Sequence, residues 1–351
     1  FVYAAMQVTH EPEEAPLEYY EPYYPVSQPA LRRVYNGMAT VLDESVKNIT
    51  DALKAANMWE NTLFLFSSDN GGPSSCWPSD CPGNNYPLRG CKGTAFEGGV
   101  RVAAFVAGGL IPAYARGTIA TGYAHVCDWY ATMCALAGVD PEDNVDGIPS
   151  TDSINLWPLI TNNTKVRSEV PLQLTMETTV NGTSQIELAA LIRGDWKYVY
   201  GRQMGAGLWW GPDFPNASST NISFDSVGCP TGCLFNITSD PSEHDDLSLA
   251  HPAAFSSMAK RLQTYVSTLY QSDINGTSRR SISRISTAHL NTRTRSQRQK
   301  INTTSAQLGG GGVHGYNTSS LCLCICLSRS VCVPLALCMS LSHSLCRARA
   351  L

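Results

Sequence analysis

After Asp273 the chain contains no aspartate or glutamate, although ten of its lysines and arginines lie there. The overall charge of −4 therefore conceals an acidic body. Residues 1–273 carry 15 basic and 29 acidic side chains, a net charge of −14 without histidines. Such a body would repel phosphate backbones, which excludes nucleic acid as its partner. Neither Cys76 and Cys81 nor Cys229 and Cys233 have histidines at zinc-ligand spacing, which argues against a zinc held by those sulfurs. Long apolar runs are scarce as well. The stretch 321–341 is mostly apolar but Arg329 interrupts it, and a central Arg costs about 2.5–3.5 kcal/mol on insertion. No membrane anchor is expected there. The tail also lacks periodicity. Residues 278–300 are rich in Ser, Thr and Arg, Gly309–Gly312 is a bare glycine run, and 321–346 cycles through Leu, Cys, Ser and Val. Apolar residues in neither a helical nor a strand period cannot specify a core, so 274–351 reads as a low-complexity tail, disordered or spurious.

At 351 residues and 43% hydrophobic content, the chain can build one large or two ordinary domains. Leu63-Phe64-Leu65-Phe66 ends abruptly at Ser67-Ser68-Asp69-Asn70-Gly71-Gly72. The run reads as a buried strand, and its carboxyl end is where open α/β sheets place ligands. Asp69 and Asn70 are adjacent hard oxygen donors suited to Ca²⁺ or Mg²⁺; the alternative is an ordinary Asp-Asn-Gly-Gly surface turn. Phe1–Val8 reads as another buried strand, with His10 just beyond its end. Residues 31–58 place Leu31, Val34, Met38, Val41, Leu42, Ile49 and Leu53 at helical spacing, predicting an amphipathic helix on the sheet. Strand–helix–strand order predicts a parallel crossover, with His10 and Asp69 at one edge of neighbouring or near-neighbouring strands.

Residues 86–106, Tyr-Pro-Leu-Arg-Gly-Cys-Lys-Gly-Thr-Ala-Phe-Glu-Gly-Gly-Val-Arg-Val-Ala-Ala-Phe-Val, follow that element. With Ser68–Gly72 and His10, they resemble the sulfatase family, especially the arylsulfatase B-like animal and algal enzymes. The resemblance continues through Asp146-Gly147, Leu156–Leu159, Ile192–Tyr198, Leu234–Ile237 and Asp240–Glu243. It implies an alkaline-phosphatase-like α/β fold, here truncated, with a mixed sheet flanked by helices and a small carboxyl-terminal antiparallel sheet plus helix. It also implies hydrolysis of sulfate esters of sugars or aryl groups. Asp69 and Asn70 match the later metal-binding pair, which would hold Ca²⁺. Lys92 matches a sulfate-contacting lysine, and His10 a histidine that assists departure of the alcohol.

The family's nucleophile is a formylglycine made from the Cys of Cys-x-Pro-Ser-Arg, and this sequence has no such motif. Cys76-Trp77-Pro78-Ser79-Asp80 is a near miss in the wrong place, with Asp80 for the Arg, and reads as a loop. The family's paired aspartates of the first strand are absent too, so the chain as written is expected to be inactive, and without the strands that should pair with Phe1–Val8 it is expected to fold poorly alone. Two rivals stand beside the hydrolase: a phosphatase or phosphodiesterase of the same superfamily, and a secreted pseudoenzyme that binds sulfated glycan without turnover. Glu97 and Arg101 are expected to pair and fix the loop holding Lys92. Trp209-Trp210 would stack on a sugar or pack on a neighbouring loop, His125 reads as core or capping, and His244 as part of a polar turn.

Three divisions are expected: 1–164 as a partial α/β domain, 165–273 as an α+β subdomain, and the tail. Short strands at 189–193, 197–200 and 233–237 and a helix over 253–270 mark the second. The body holds seven cysteines, and Cys76–Cys81 and Cys229–Cys233 are the candidate loop disulfides. Sequons at Asn48, Asn162, Asn181, Asn216, Asn221, Asn236 and Asn275 point with them to the secretory route, secreted or lysosomal. The sugar and the oligomeric state are not legible.

Overall fold

The computed structural model describes residues 1–25, 30–73, 82–142, 144, 149–178, 184–203, 209, 211, 228–269 and 321–327. Among these residues, eight strands form two four-stranded sheets. The strands are β1 (Val2–Met6), β2 (Thr62–Ser67), β3 (Ala104–Ala107), β4 (Glu169–Thr178), β5 (Ser184–Arg193), β6 (Trp196–Gly201), β7 (Cys229–Asn236) and β8 (Leu321–Leu327). The helices are α1 (Leu17–Tyr20), α2 (Ala30–Ala55), α3 (Glu97–Val100), α4 (Asp128–Ala137), α5 (Trp157–Asn162) and α6 (Pro252–Val266).

The first sheet has the order β1-β8-β2-β3, and each adjacent pair is antiparallel. Because β8 runs against both β1 and β2, those two strands are parallel, as their helical connection predicts, but they are not neighbours. Met6 is level with Leu321 and Ser67 with Cys322. The carboxyl ends of β1 and β2 thus emerge at one end of the sheet, two strand spacings or about 10 Å apart. Within the segment expected to be featureless, Leu321–Leu327 supplies this central strand. Its Leu-Cys-Leu-Cys-Ile-Cys-Leu run has no polar alternation to forbid strand pairing.

Leu63, Phe64 and Leu65 in β2 are all buried, the unbroken apolar signature of a strand covered on both faces. Phe64 packs among Val46, Ile49, Leu53 and Trp59 from α2 and its exit. Leu63 packs on the other side with Ile111, Ala115, Leu136, Trp157 and Ile160. Helix α2 ends where Asn57 takes a left-handed φ of 56°. The Asn57 and Met58 amides return to the Lys54 and Leu53 carbonyls, closing a Schellman cap.

The second sheet is an antiparallel meander in the order β4-β5-β6-β7. Strand β4, the first half of β5 and the start of β7 extend beyond the segments expected from alternation. Cys229 and Cys233 form the expected disulfide; Cys76 and Cys81 lie outside the described residues, as do Asp146, Gly147 and Trp210. The inner face of this sheet, with Val170, Ala190, Ile192, Val199 and Phe235, packs around Ala95 and Phe96. The loop carrying Lys92 is thereby plugged into the carboxyl-terminal core.

Candidate active site

The chain leaves β2 at Ser67 and is immediately held from two sides. The Ser68 amide donates to the Ala103 carbonyl at 3.0 Å and the Gly71 amide to Gly99 at 2.9 Å. Gly71 lies so close to Gly98 that a Cβ there would sit 1.8 Å from the Gly98 carbonyl oxygen. No other residue type fits without moving backbone. The Lys92 amide donates to the Gly72 carbonyl at 3.2 Å. Asn85 clamps the same residue, accepting the Gly72 amide at 2.8 Å and donating to its carbonyl at 2.9 Å. Asn85 also donates to the Gly90 carbonyl at 3.3 Å. Asp69–Gly72 and Lys92 therefore belong to one hydrogen-bonded junction. Asp69 is exposed, whereas Asn70 and Lys92 are half-buried. Asn70 donates its amide to the Gly71 carbonyl at 2.8 Å, which directs its side-chain oxygen, the metal-type donor, the other way.

His10 sits in the turn after β1, its amide bonded to the Gln7 carbonyl. Its Nδ1 lies 2.8 Å from the Glu11 carbonyl. A carbonyl only accepts, so Nδ1 bears the proton and Nε2 is the nitrogen that exchanges one.

Among the described residues, one buried ion cluster reaches the Lys92 loop and another lies at the start of α4. Lys197 of β6 is fully buried. Its Nζ donates to Glu97 Oε1 at 2.8 Å and lies 2.9 Å from Glu243 Oε1, an ion pair outside hydrogen-bond direction. The Glu97 amide donates to Glu243 Oε2 at 2.7 Å. Burial pushes the Glu243 carboxyl up, against the pull of Lys197. The expected Glu97–Arg101 pair is present at 3.7 Å, with Arg101 largely exposed, so Lys197 is the closer partner. Arg89 covers Phe96 at 4.0 Å and Trp209 at 4.4 Å, and donates to the Glu243 carbonyl at 3.2 Å. Burial lowers its pKa to about 10. Trp209 donates to the Ser242 carbonyl and stacks on His244. That resolves its alternatives in favour of packing on a neighbouring loop.

The second cluster joins Asp128 at the start of α4 to Arg167. The fully buried Asp128 accepts Arg167 Nε at 2.8 Å and the His125 and Ile154 amides at 2.8 and 2.9 Å. Burial works against the Arg167 charge, but the Asp128 hydrogen bonds and charge raise its pKa above the ordinary value.

A family model described as Sulfatase matches residues 1–139. Mouse (Mus musculus) "Arylsulfatase J" is 31% identical over 284 residues, 76% of this chain and 45% of the relative. The chain belongs to the sulfatase family. The human (Homo sapiens) sulfatase relative "N-acetylgalactosamine-6-sulfatase" is 30% identical over 161 residues, 46% of this chain and 28% of the relative. A solved structure, Ps i-CgsB in complex with k-i-k-neocarrahexaose, superposes with a TM-score of 0.55 at 27% identity. It covers 74% of this chain and 48% of that one. This sulfatase sequence thus spans about half the length of such relatives. Its fold is of the alkaline-phosphatase-like kind.

Asp69 and Asn70 suit a hard cation by donor type. Ca²⁺ takes about 6–8 oxygens, and no group of three or more His, Cys, Asp or Glu stands ready for one among the described residues. Among the described residues, no helix is long and apolar enough to cross a membrane.

Proposed function

We propose that this sulfatase chain supplies the sulfate-holding half of a sulfuric ester hydrolase acting on sulfated sugars or aryl sulfates. The observation that carries the reading is the junction binding Lys92 and Asp69–Gly72 together through Gly72 and Asn85. Lys92 places a compact ammonium against the anionic ester and its developing charge. His10 Nε2 delivers a proton to the departing alcohol. Asp69 and Asn70 give hard oxygens to Ca²⁺, which when bound polarises the sulfate oxygens. A formylglycine, carried outside this sequence, is the nucleophile of the whole enzyme. Sugar as the substrate class is supported by the names of the relatives. The secretory route is supported by the Cys229–Cys233 disulfide and by exposed sequons at Asn48 and Asn162.

Calorimetric titration of the folded chain with 4-nitrophenyl sulfate in millimolar CaCl₂ tests this. Binding without turnover is expected, weakened on the order of 10–100-fold in Lys92→Ala for loss of a charged hydrogen bond. Equal affinity of the two proteins, or tighter binding of 4-nitrophenyl phosphate than of the sulfate, refutes the assignment. Turnover by this chain would refute the placement of the nucleophile elsewhere.

A further inference from the structure

The amino end of α4 gathers a second set of reactive groups. Cys127 is the residue preceding the helix, carries a thiol and is 9% exposed. Its Sγ lies 3.0 Å from His125 Nδ1. The Cys127 amide also points at that nitrogen, at 3.4 Å. A ring nitrogen that accepts an amide proton presents its lone pair, so Nδ1 is the base toward the thiol. Arg167 Nη2 approaches the sulfur at 3.7 Å and donates to the Asp152 carbonyl at 2.7 Å. Cys127 also immediately precedes the first turn of α4, the positive end of the helix dipole. Two oxygens oppose these groups: Asp128 Oδ1 and the Asp152 carbonyl, each 3.8 Å from Sγ. The Asp128 carboxylate is already matched by the Arg167 fork and two backbone amides. A buried cysteine that only packs sits among apolar groups; this one is ringed by a base, a guanidinium and a helix terminus, the surroundings that activate thiols.

We infer that Cys127 is an oxidisable thiol whose co-reactant is a small hydroperoxide, with His125 taking its proton and Arg167 holding the oxidised sulfur. Cys127 Sγ gives its proton to His125 Nδ1 and attacks one peroxide oxygen. The S–O bond forms as the O–O bond breaks, and sulfur gives up two electrons. The departing oxyanion takes the proton from His125 and leaves as water from hydrogen peroxide, or as the alcohol from an alkyl hydroperoxide. Cys127 becomes a sulfenic acid, one rung up the reversible oxidation ladder. The slight exposure of Cys127 selects a small oxidant over a bulky disulfide. The modification would alter the contact that ties Arg167 and the Asp152–Ile154 segment to α4.

Cys134 is an internal control, because it is the more exposed of the two thiols, and exposure alone predicts that it reacts first. The folded full-length chain is treated with hydrogen peroxide in the presence of dimedone, and labelling at each cysteine is followed by peptide mass spectrometry. Cys127 is expected to label about tenfold faster than Cys134, with the difference vanishing in urea. His125→Asn is expected to slow Cys127 about tenfold and leave Cys134 unchanged. Equal rates for the two cysteines in the folded wild-type chain overturn the proposal, and that result needs no variant. A folded His125→Asn chain that labels Cys127 at the wild-type rate overturns the role of His125.

Discussion

Replacing Lys197 by methionine keeps most of the side-chain volume and removes one buried ammonium. In the wild type that ammonium stands 2.8 Å from Glu97 and 2.9 Å from Glu243, with all three side chains at or near complete burial. Breaking a buried ion cluster by taking one partner typically costs about 3–5 kcal/mol, because uncompensated charge remains inside. For a cooperative unit of this size, that is a fall of roughly 6–20 °C in Tm. The pH dependence sharpens the test. Burial already raises the folded pKa of Glu243 above the ordinary 4.5. A raised folded pKa contributes stability that is complete below the unfolded value and is lost as pH rises through the folded one. Without Lys197 the carboxyl is raised further, so the deficit of Lys197→Met should be largest near about pH 7 and shrink toward about pH 5. Urea unfolding followed by tryptophan fluorescence measures this directly. The triple variant Lys197→Met, Glu97→Gln, Glu243→Gln should recover most of the loss, since replacing a whole cluster is often neutral. A deficit under about 1 kcal/mol, or one that does not shrink on acidification, would refute the reasoning.

Asn85→Ala removes three hydrogen bonds at Gly72 and Gly90 and should cost about 1–3 kcal/mol. It should weaken 4-nitrophenyl sulfate binding in parallel, whereas an unchanged affinity would mean that the clamp does not position Lys92. Glu169 titrates in the opposite sense to Glu243. The Arg261 fork, helped by Tyr265 and Arg193, lowers its folded pKa below the ordinary 4.5. Its contribution is present above that value and lost as pH falls through the folded one. Glu169→Gln should therefore flatten the acid limb of the urea midpoint curve, and an unaltered limb would count against the pairing.

The elements with strong local signals were legible: the unbroken apolar run of β2, the 3.6-residue stripe of α2, the short strands β5 and β6, and α6. The sequence also marked Asp69, Asn70 and Lys92, and the structure adds the junction at Gly72 that joins their loops. What it withheld depends on partners far along the chain. Asn85 reads as a loop amide until Gly72 is seen against it. Lys197 reads as one more charge in Trp-Lys-Tyr, although period-two alternation puts it on the Val199 face, which is buried. That phase was the one available clue. Glu243, with its left-handed φ of 56°, and the sandwiched Arg89 carried no comparable signal. The strand at Leu321–Leu327 was hidden because a run without alternation tells neither which face is inward nor which neighbour it will pair with.

The bond from the Glu97 amide to Glu243 spans 146 residues. A growing chain lengthens by about 5–20 residues per second, so Glu97 emerges roughly 7–30 s before the carboxylate that receives it. During that interval β2 and α2 have all they need for local packing, but the loop bearing Lys92 has no core to enter. The Lys92 loop is thus among the last parts of the body to set. Premature termination anywhere between β3 and Glu243 would release a chain without β8, the strand between β1 and β2, and with an open loop, its Phe96 and Arg89 offered to whatever binds exposed aromatic and cationic surface.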